Sequence, residues 1–169
     1  MKYQVKHKQP NSKMCLVCGL QNQFGLKTAF YELDNEELLG VFTPQEEHQS
    51  YPGRLHGGIS AAILDETIGR AIMMRADGKD IWGVTMQFSS RYKKPVPLNE
   101  ELRVVGRITK ETRLVFEGTG EILLNDGTVA VEGEGKYLKM SLDKIADVKP
   151  EHLDWHVVPA ENDPTEVEI

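Results

Sequence analysis

The sequence predicts an α+β fold in which an antiparallel sheet wraps one long central helix. Three observations carry this. The stretch Gly57–Met74 is rich in helix formers and free of proline, and apolar residues cover nearly every side of its first turns, as in a helix enclosed by other structure. Two short apolar segments precede it. Four longer segments of strand composition follow it, separated only by short turns, which is the order of a meander.

The chain opens with a segment, residues 1–24, that begins with the basic run Met1 to Lys8 and has no apolar stretch of the secretory kind, so a cytoplasmic protein is expected. Cys15 and Cys18 form a Cys-x-x-Cys that fits half of a zinc site, a redox pair, or two small buried residues. A structural zinc needs four ligands. Only His7 lies near in sequence and there is no second Cys-x-x-Cys, so a metal would have to be completed by distant histidines or another subunit, and no thioredoxin-like pattern surrounds the pair.

The main domain is expected over residues 25–142. Leu26–Tyr31 and Leu38–Phe42 read as short strands joined by the polar turn Asp34-Asn35-Glu36. The loop Gln49-Ser50-Tyr51-Pro52-Gly53 leads into the helix. Ile81–Tyr92, Glu101–Thr112, Leu114–Asn125 and Thr128–Met140 read as strands, the last two linked by the hairpin signal Asn125-Asp126-Gly127. Residues 143–169 are acidic and punctuated by Pro150, Pro159 and Pro164, and are expected on the surface or partly disordered.

With 169 residues, the chain suits one domain with tails. No apolar run approaches the roughly 18 residues of a membrane span. The net charge of -6 argues against nucleic acid as the main partner, so an anionic ligand must find a local basic patch. Arg91-Tyr92-Lys93-Lys94-Pro95 is such a patch, fitting either a solvated strand end or a phosphate site.

Asp65 is the most informative residue. At 100° per residue its helical neighbours are Gly58, Ala61, Ala62, Ile68, Gly69 and Ile72, all apolar or tiny, so the carboxylate has space beside it and no counter-charge. Burying such a charge costs several kcal/mol and raises its pKa, a cost proteins carry mainly at working sites. Glu66 differs: Arg70 follows it at i+4 and gives it an ordinary surface ion pair, so Glu66 reads as structural. Asp65 as a mere hydrogen-bond acceptor or second cap is the plainer alternative. In the strand after the helix, alternation puts Thr85, Gln87, Ser89 and Arg91 on one face and Val84, Met86 and Phe88 on the other, core-facing one.

His56-Gly57-Gly58 followed by Asp65, the strand order, and Tyr92-Lys93-Lys94-Pro95-Val96-Pro97-Leu98 together resemble the hot-dog-fold thioesterases. The resemblance is to the branch containing the phenylacetate-pathway acyl-CoA thioesterases and the mammalian thioesterase-superfamily proteins. Cys15-Leu16-Val17-Cys18-Gly19 with Asn22 and Gly25-Leu26 also resembles an N-terminal segment of some members. The resemblance implies that Asp65 acts as general base or nucleophile, that Thr85 helps orient water, and that the Gly57 amide polarises the thioester carbonyl, with His56 beside it in the same turn. His56 fits a hydrogen-bond donor, a support for the turn or a general base, with the supporting role favoured. Several members carry an Asn or Gln in the loop before the histidine to orient water. Here the position six residues upstream is Ser50, with Gln49 or His48 as the available replacements. The substrate implied is an acyl-coenzyme A, with Gly58, Ser50 and Gln87 near it, its phosphates on Arg91, Lys93, Lys94 or Arg54, and its acyl chain in a tunnel beside the small residues Ala61, Ala62 and Gly69.

These residues suit the chemistry without a cofactor. A thiol leaves readily as its anion, so one base and one oxyanion donor suffice, and a free N–H at a helix N-terminus is suited to the second role. Gly57 and Asp65 are separated by roughly 12 Å of helix rise, so a single carbonyl touches both only if they come from different subunits. A homodimer or tetramer with interfacial sites is therefore expected. The competing readings are a non-catalytic module that binds acyl-CoA or acyl carrier protein, a hot-dog dehydratase or hydratase with a differently placed histidine, and a zinc-stabilised interaction protein built on Cys15 and Cys18.

Overall fold

The computed structural model describes residues 1–76, 79–147 and 154–169. Among the described residues eight strands form one antiparallel sheet: β1 (Lys2–Lys8), β2 (Ala29–Leu33), β3 (Leu38–Phe42), β4 (Trp82–Tyr92), β5 (Leu102–Glu111), β6 (Val115–Leu123), β7 (Val129–Met140) and β8 (Glu166–Glu168). Their order across the sheet is β4-β7-β6-β5-β3-β2-β1-β8. The helix α1 (Gly57–Arg70) packs on it and runs on into a tighter turn, Ala71–Arg75. This is the α+β architecture expected from the sequence.

Helix and sheet approach closely. Ile63, Leu64, Ile68 and Ile72 are fully buried against the strands. A Cβ on Gly83 of β4 would stand 2.9 Å from the Gly69 carbonyl oxygen and 2.7 Å from the Phe116 ring, so glycine at this position lets β4 lie directly against the helix. A second apolar cluster of Tyr31, Leu33, Leu39, Val105 and Val167 joins β2, β3 and β5 to the chain ends.

Three features differ from the sequence reading. First, residues 154–169 do not lie loose on the surface: β8 pairs with β1, Val167 is buried, and Asp163 accepts from Lys8 and Tyr31. Pro150 lies outside the described residues. Second, the Glu66–Arg70 pair exists, at 2.9 Å, but is not a surface pair; Arg70 is buried, donates to the Pro10 carbonyl, and stacks its guanidinium on Phe30 and Trp155. Third, β4 carries a bulge at Met86: Thr85 pairs with Tyr137 but Gln87 pairs with Lys136. The extra residue switches the faces. Phe88 packs into the core as expected, but Met86 is 57% exposed, and Thr85 turns toward the helix while Gln87, Ser89 and Arg91 fall on the other side of the sheet.

Candidate active site

Asp65 sits half-buried on α1, facing β4 and β7. Thr85 Oγ1 lies 3.0 Å from Asp65 Oδ1 and 3.1 Å from Oδ2, and Tyr137 Oη donates to Oδ1 at 3.0 Å. The Thr85↔Tyr137 register sets the two hydroxyls side by side under the carboxylate. Burial pushes the Asp65 carboxyl above its usual range; the two hydroxyl donors pull it back, and the neighbouring Glu66 charge adds to the rise. The Tyr137 hydroxyl is itself pushed up by burial and by Asp65, which keeps it protonated as a donor.

A cavity of about 240 Å³ opens beside this group, walled by Gly69, Met73, Trp82, Gly83 and Trp155. Trp82 and Trp155 meet edge to face at 4.5 Å between ring centres. The space beside Gly69, read from sequence as room for an acyl group, is partly taken by Tyr137, whose ring would touch a Cβ there at 3.3 Å. Tyr137 is the residue sequence reasoning missed. Its signal was available: a tyrosine on the core-facing side of a strand must find a partner for its hydroxyl.

The helix start builds a second feature. His56 is the N-cap, and its Nδ1 accepts from the Gly58 amide at 2.9 Å, so its proton is on Nε2 and the Gly58 N–H is spent on the cap. Ile59 and Ser60 donate to the His56 carbonyl. The Gly57 N–H, at the first helical position, has no acceptor among the described residues, and Gly57 lines a groove of about 390 Å³. Tyr92 Oη donates to the Gly57 carbonyl at 2.8 Å, and Ser50, Arg54, Lys93 and Lys94 line the same groove. Lys93 is paired with Glu132. Gln87 and Arg91 are not in this groove; the bulge sends them to the opposite face of the sheet, beside Glu134 and Glu132.

The replacements considered for the loop amide are also occupied. His48 is buried, with Nδ1 accepting from the Gln45 amide at 2.8 Å and Nε2 donating to the Phe24 carbonyl at 2.8 Å. Gln49 Oε1 accepts from Gly53 N at 2.9 Å. Both hold the loop. The structure thus brings Asp65, Thr85 and Tyr137 together in one cluster, and Gly57, Ser50 and the basic residues Arg54 and Lys94 in another.

Residues 52–131 match the family model of the thioesterase superfamily. With one long helix laid on a large antiparallel sheet, the chain has the hot-dog fold. The chain is 26% identical over 104 residues to acyl-coenzyme A thioesterase 13 of Mus musculus, covering 62% of this chain and 72% of that protein. A solved thioesterase superfamily protein superposes with a TM-score of 0.67 at 31% identity, covering 73% of this chain and 59% of that one. A hypothetical thioesterase protein from Streptococcus pneumoniae TIGR4, solved with coenzyme A, shares the fold at a TM-score of 0.56 and 19% identity, covering 62% of this chain and 82% of that one. No described helix is long and apolar enough to cross a membrane.

Proposed function

We propose that the protein hydrolyses an acyl-coenzyme A thioester to the free acid and coenzyme A. The observation that carries this is the half-buried carboxylate of Asp65, held by two hydroxyl donors at the edge of a cavity. Thr85 and Tyr137 supply one proton each, so at most two of the roughly four acceptor positions of the carboxylate are used. The others are free to take a proton from water or, in the nucleophilic variant, to attack the carbonyl carbon directly. Burial raises the basicity of the group, which suits either role. The thiolate of coenzyme A leaves without a general acid.

The oxyanion donor in this reading is the Gly57 N–H, reinforced by the helix dipole and worth roughly 3 kcal/mol in comparable sites. Gly57 and Asp65 open into different pockets of one chain, so the reading pairs the Gly57 groove of one protomer with the Asp65 cavity of another in a homodimer or a higher assembly of dimers. Arg54 and Lys94 beside Gly57 offer charge for the phosphates of coenzyme A. Gln87 and Arg91 are outside this scheme.

The test is free-thiol release from short, medium, long-chain and aromatic acyl-CoAs by the wild type and by Asp65→Asn, which keeps the size while removing the base. Turnover by the wild type that the variant loses is the expected result. Tight binding of acyl-CoA with no turnover of any substrate would instead favour a non-catalytic acyl-CoA or acyl-carrier module.

A further inference from the structure

The Cys-x-x-Cys of the N-terminal segment plays no part in this hydrolytic scheme, yet the fold sets it against the helix that carries Asp65. Cys15 Sγ lies 3.0 Å from Glu66 Oε2. The backbone N–H groups of Val17 and Cys18 both point at Cys15 Sγ, at 3.3 and 3.4 Å, a turn that stabilises negative charge on that sulfur. Gly19 is required to close the turn, because a Cβ there would stand 2.4 Å from the Cys15 carbonyl oxygen. Cys18 is fully buried, and its Sγ is 3.0 Å from Arg70 Nη2, while Arg70 Nε donates to Glu66 Oε1 at 2.9 Å. The ligating atoms of Cys15, Cys18 and Glu66 all lie within 4.8 Å of one another.

We propose that Cys15, Cys18 and Glu66 form a binding site for a zinc-class divalent ion that fastens the N-terminal segment to the helix one residue from Asp65. Two thiolates and a carboxylate are a donor set that zinc favours. Charge balance agrees. Three anionic ligands and a dication leave one negative charge, and the Arg70 guanidinium cancels it, so the buried assembly is neutral. In the metal-free protein the Cys15 thiol donates to Glu66 Oε2 at 3.0 Å. The ion takes the place of that proton. Arg70 then serves as the outer partner that orients Glu66 and Cys18. Cys15 and Glu66 also line the cavity beside Asp65, which leaves a fourth position to solvent there. Pairing of the two cysteines by sequence alone lacked a third ligand; folding supplies it from the helix.

The experiment is to purify the full chain under reducing conditions without chelator, measure its metal content, then strip it and titrate with Co²⁺. Expected are about one zinc per chain and, with cobalt, thiolate charge-transfer and tetrahedral ligand-field bands, all lost in Cys18→Ser. Glu66→Gln keeps the shape of the side chain in case the cysteine variant misfolds. It should bind zinc at least about 10-fold more weakly, and zinc should raise the melting temperature of the wild type more than that of this variant. Metal far below one equivalent together with no thiolate–cobalt bands in the reduced wild type overturns the proposal. So does binding that is unchanged in both variants, and so does isolation of the wild type as a metal-free Cys15–Cys18 disulfide. Thiol release from acyl-CoAs is read separately, so a failure here is distinguishable from a failure of the hydrolase reading.

Discussion

Asp65 owes its character to a balance between burial and two hydroxyls, and that balance can be shifted one atom at a time. Its pKa is raised in the folded protein, so the charged form is the disfavoured one: stability conferred by the neutral acid is present at low pH and is lost as pH rises from the ordinary 3.8 through the folded value. Catalysis by the carboxylate needs the charged form, and the acid limb of kcat/KM should therefore lie above the ordinary carboxylate range. Tyr137→Phe removes a donor that favours the charge, so this limb should move to higher pH. With about 1.5 kcal/mol for a hydrogen bond to a charged group, the rate on the limb should fall roughly tenfold. Thr85→Val should move it in the same direction. A pH–rate profile of the two variants checks this; an unmoved limb would mean that Asp65 is not the titrating base. Asp65 was legible because a carboxylate among small apolar neighbours breaks a pattern; Thr85 was placed beside it only by the family resemblance, since alternation put it on the face away from the helix. Tyr137 breaks none: it looks like core until its hydroxyl is placed.

At the level of the element, the start of α1 offers a substitution that deletes one N–H and little else. Proline is well tolerated at the first helical position, and the preceding residue, His56, already has the extended ψ of 133° that proline demands of it. A Cβ at Gly57 would meet only the Tyr92 ring, at 3.4 Å. Gly57→Pro should therefore melt within a few degrees of the wild type while kcat falls by about 10²-fold, if the Gly57 amide is the oxyanion donor. Steady-state kinetics beside a thermal melt separates the two effects. The elements themselves were readable from periodicity and turn chemistry, since α1 and β4 to β7 fall where helix formers, strand composition and the Asn125-Asp126-Gly127 signal put them. The faces of β4 were not. Strict alternation assigns Thr85 and Gln87 to one side, and a single unpaired residue at Met86 sets them on opposite sides: Gln87 and Phe88 stand where alternation puts them, and Thr85 turns to the helix.

For the whole molecule, a site shared between protomers makes a prediction that a site within one chain does not. Asp65→Asn and Gly57→Pro should each be inactive alone, but in mixed dimers one of the two sites regains both groups. An equimolar, fully exchanged mixture should recover about a quarter of the wild-type activity, since half the dimers are mixed and each has one intact site. No recovery after proven subunit exchange would sink the shared site. What the sequence hid at this scale is long-range pairing. Nothing local in Lys2–Lys8 or Glu166–Glu168 marks them as partners, because the ladder between them is written in neither segment alone.

That ladder has a consequence for the order in which the protein assembles and for how it breathes. Lys2 pairs with Glu168, so this strand contact closes a loop of nearly the entire chain, whereas β5, β6 and β7 are joined by turns of a few residues. Loop-closure entropy makes such a contact the last to form and the first to open. Amide protons of β1 and β8 should accordingly exchange well before those of β5 and β6 in native-state hydrogen exchange. Trp155 and Cys15, which wall the Asp65 cavity, are carried by the two chain ends that this ladder joins. The cavity's outer wall is therefore carried by segments whose pairing closes nearly the whole chain, and its floor, Asp65, Thr85 and Tyr137, by α1 and the β4–β7 ladder, so exchange at the chain ends reports on how firmly that wall is held.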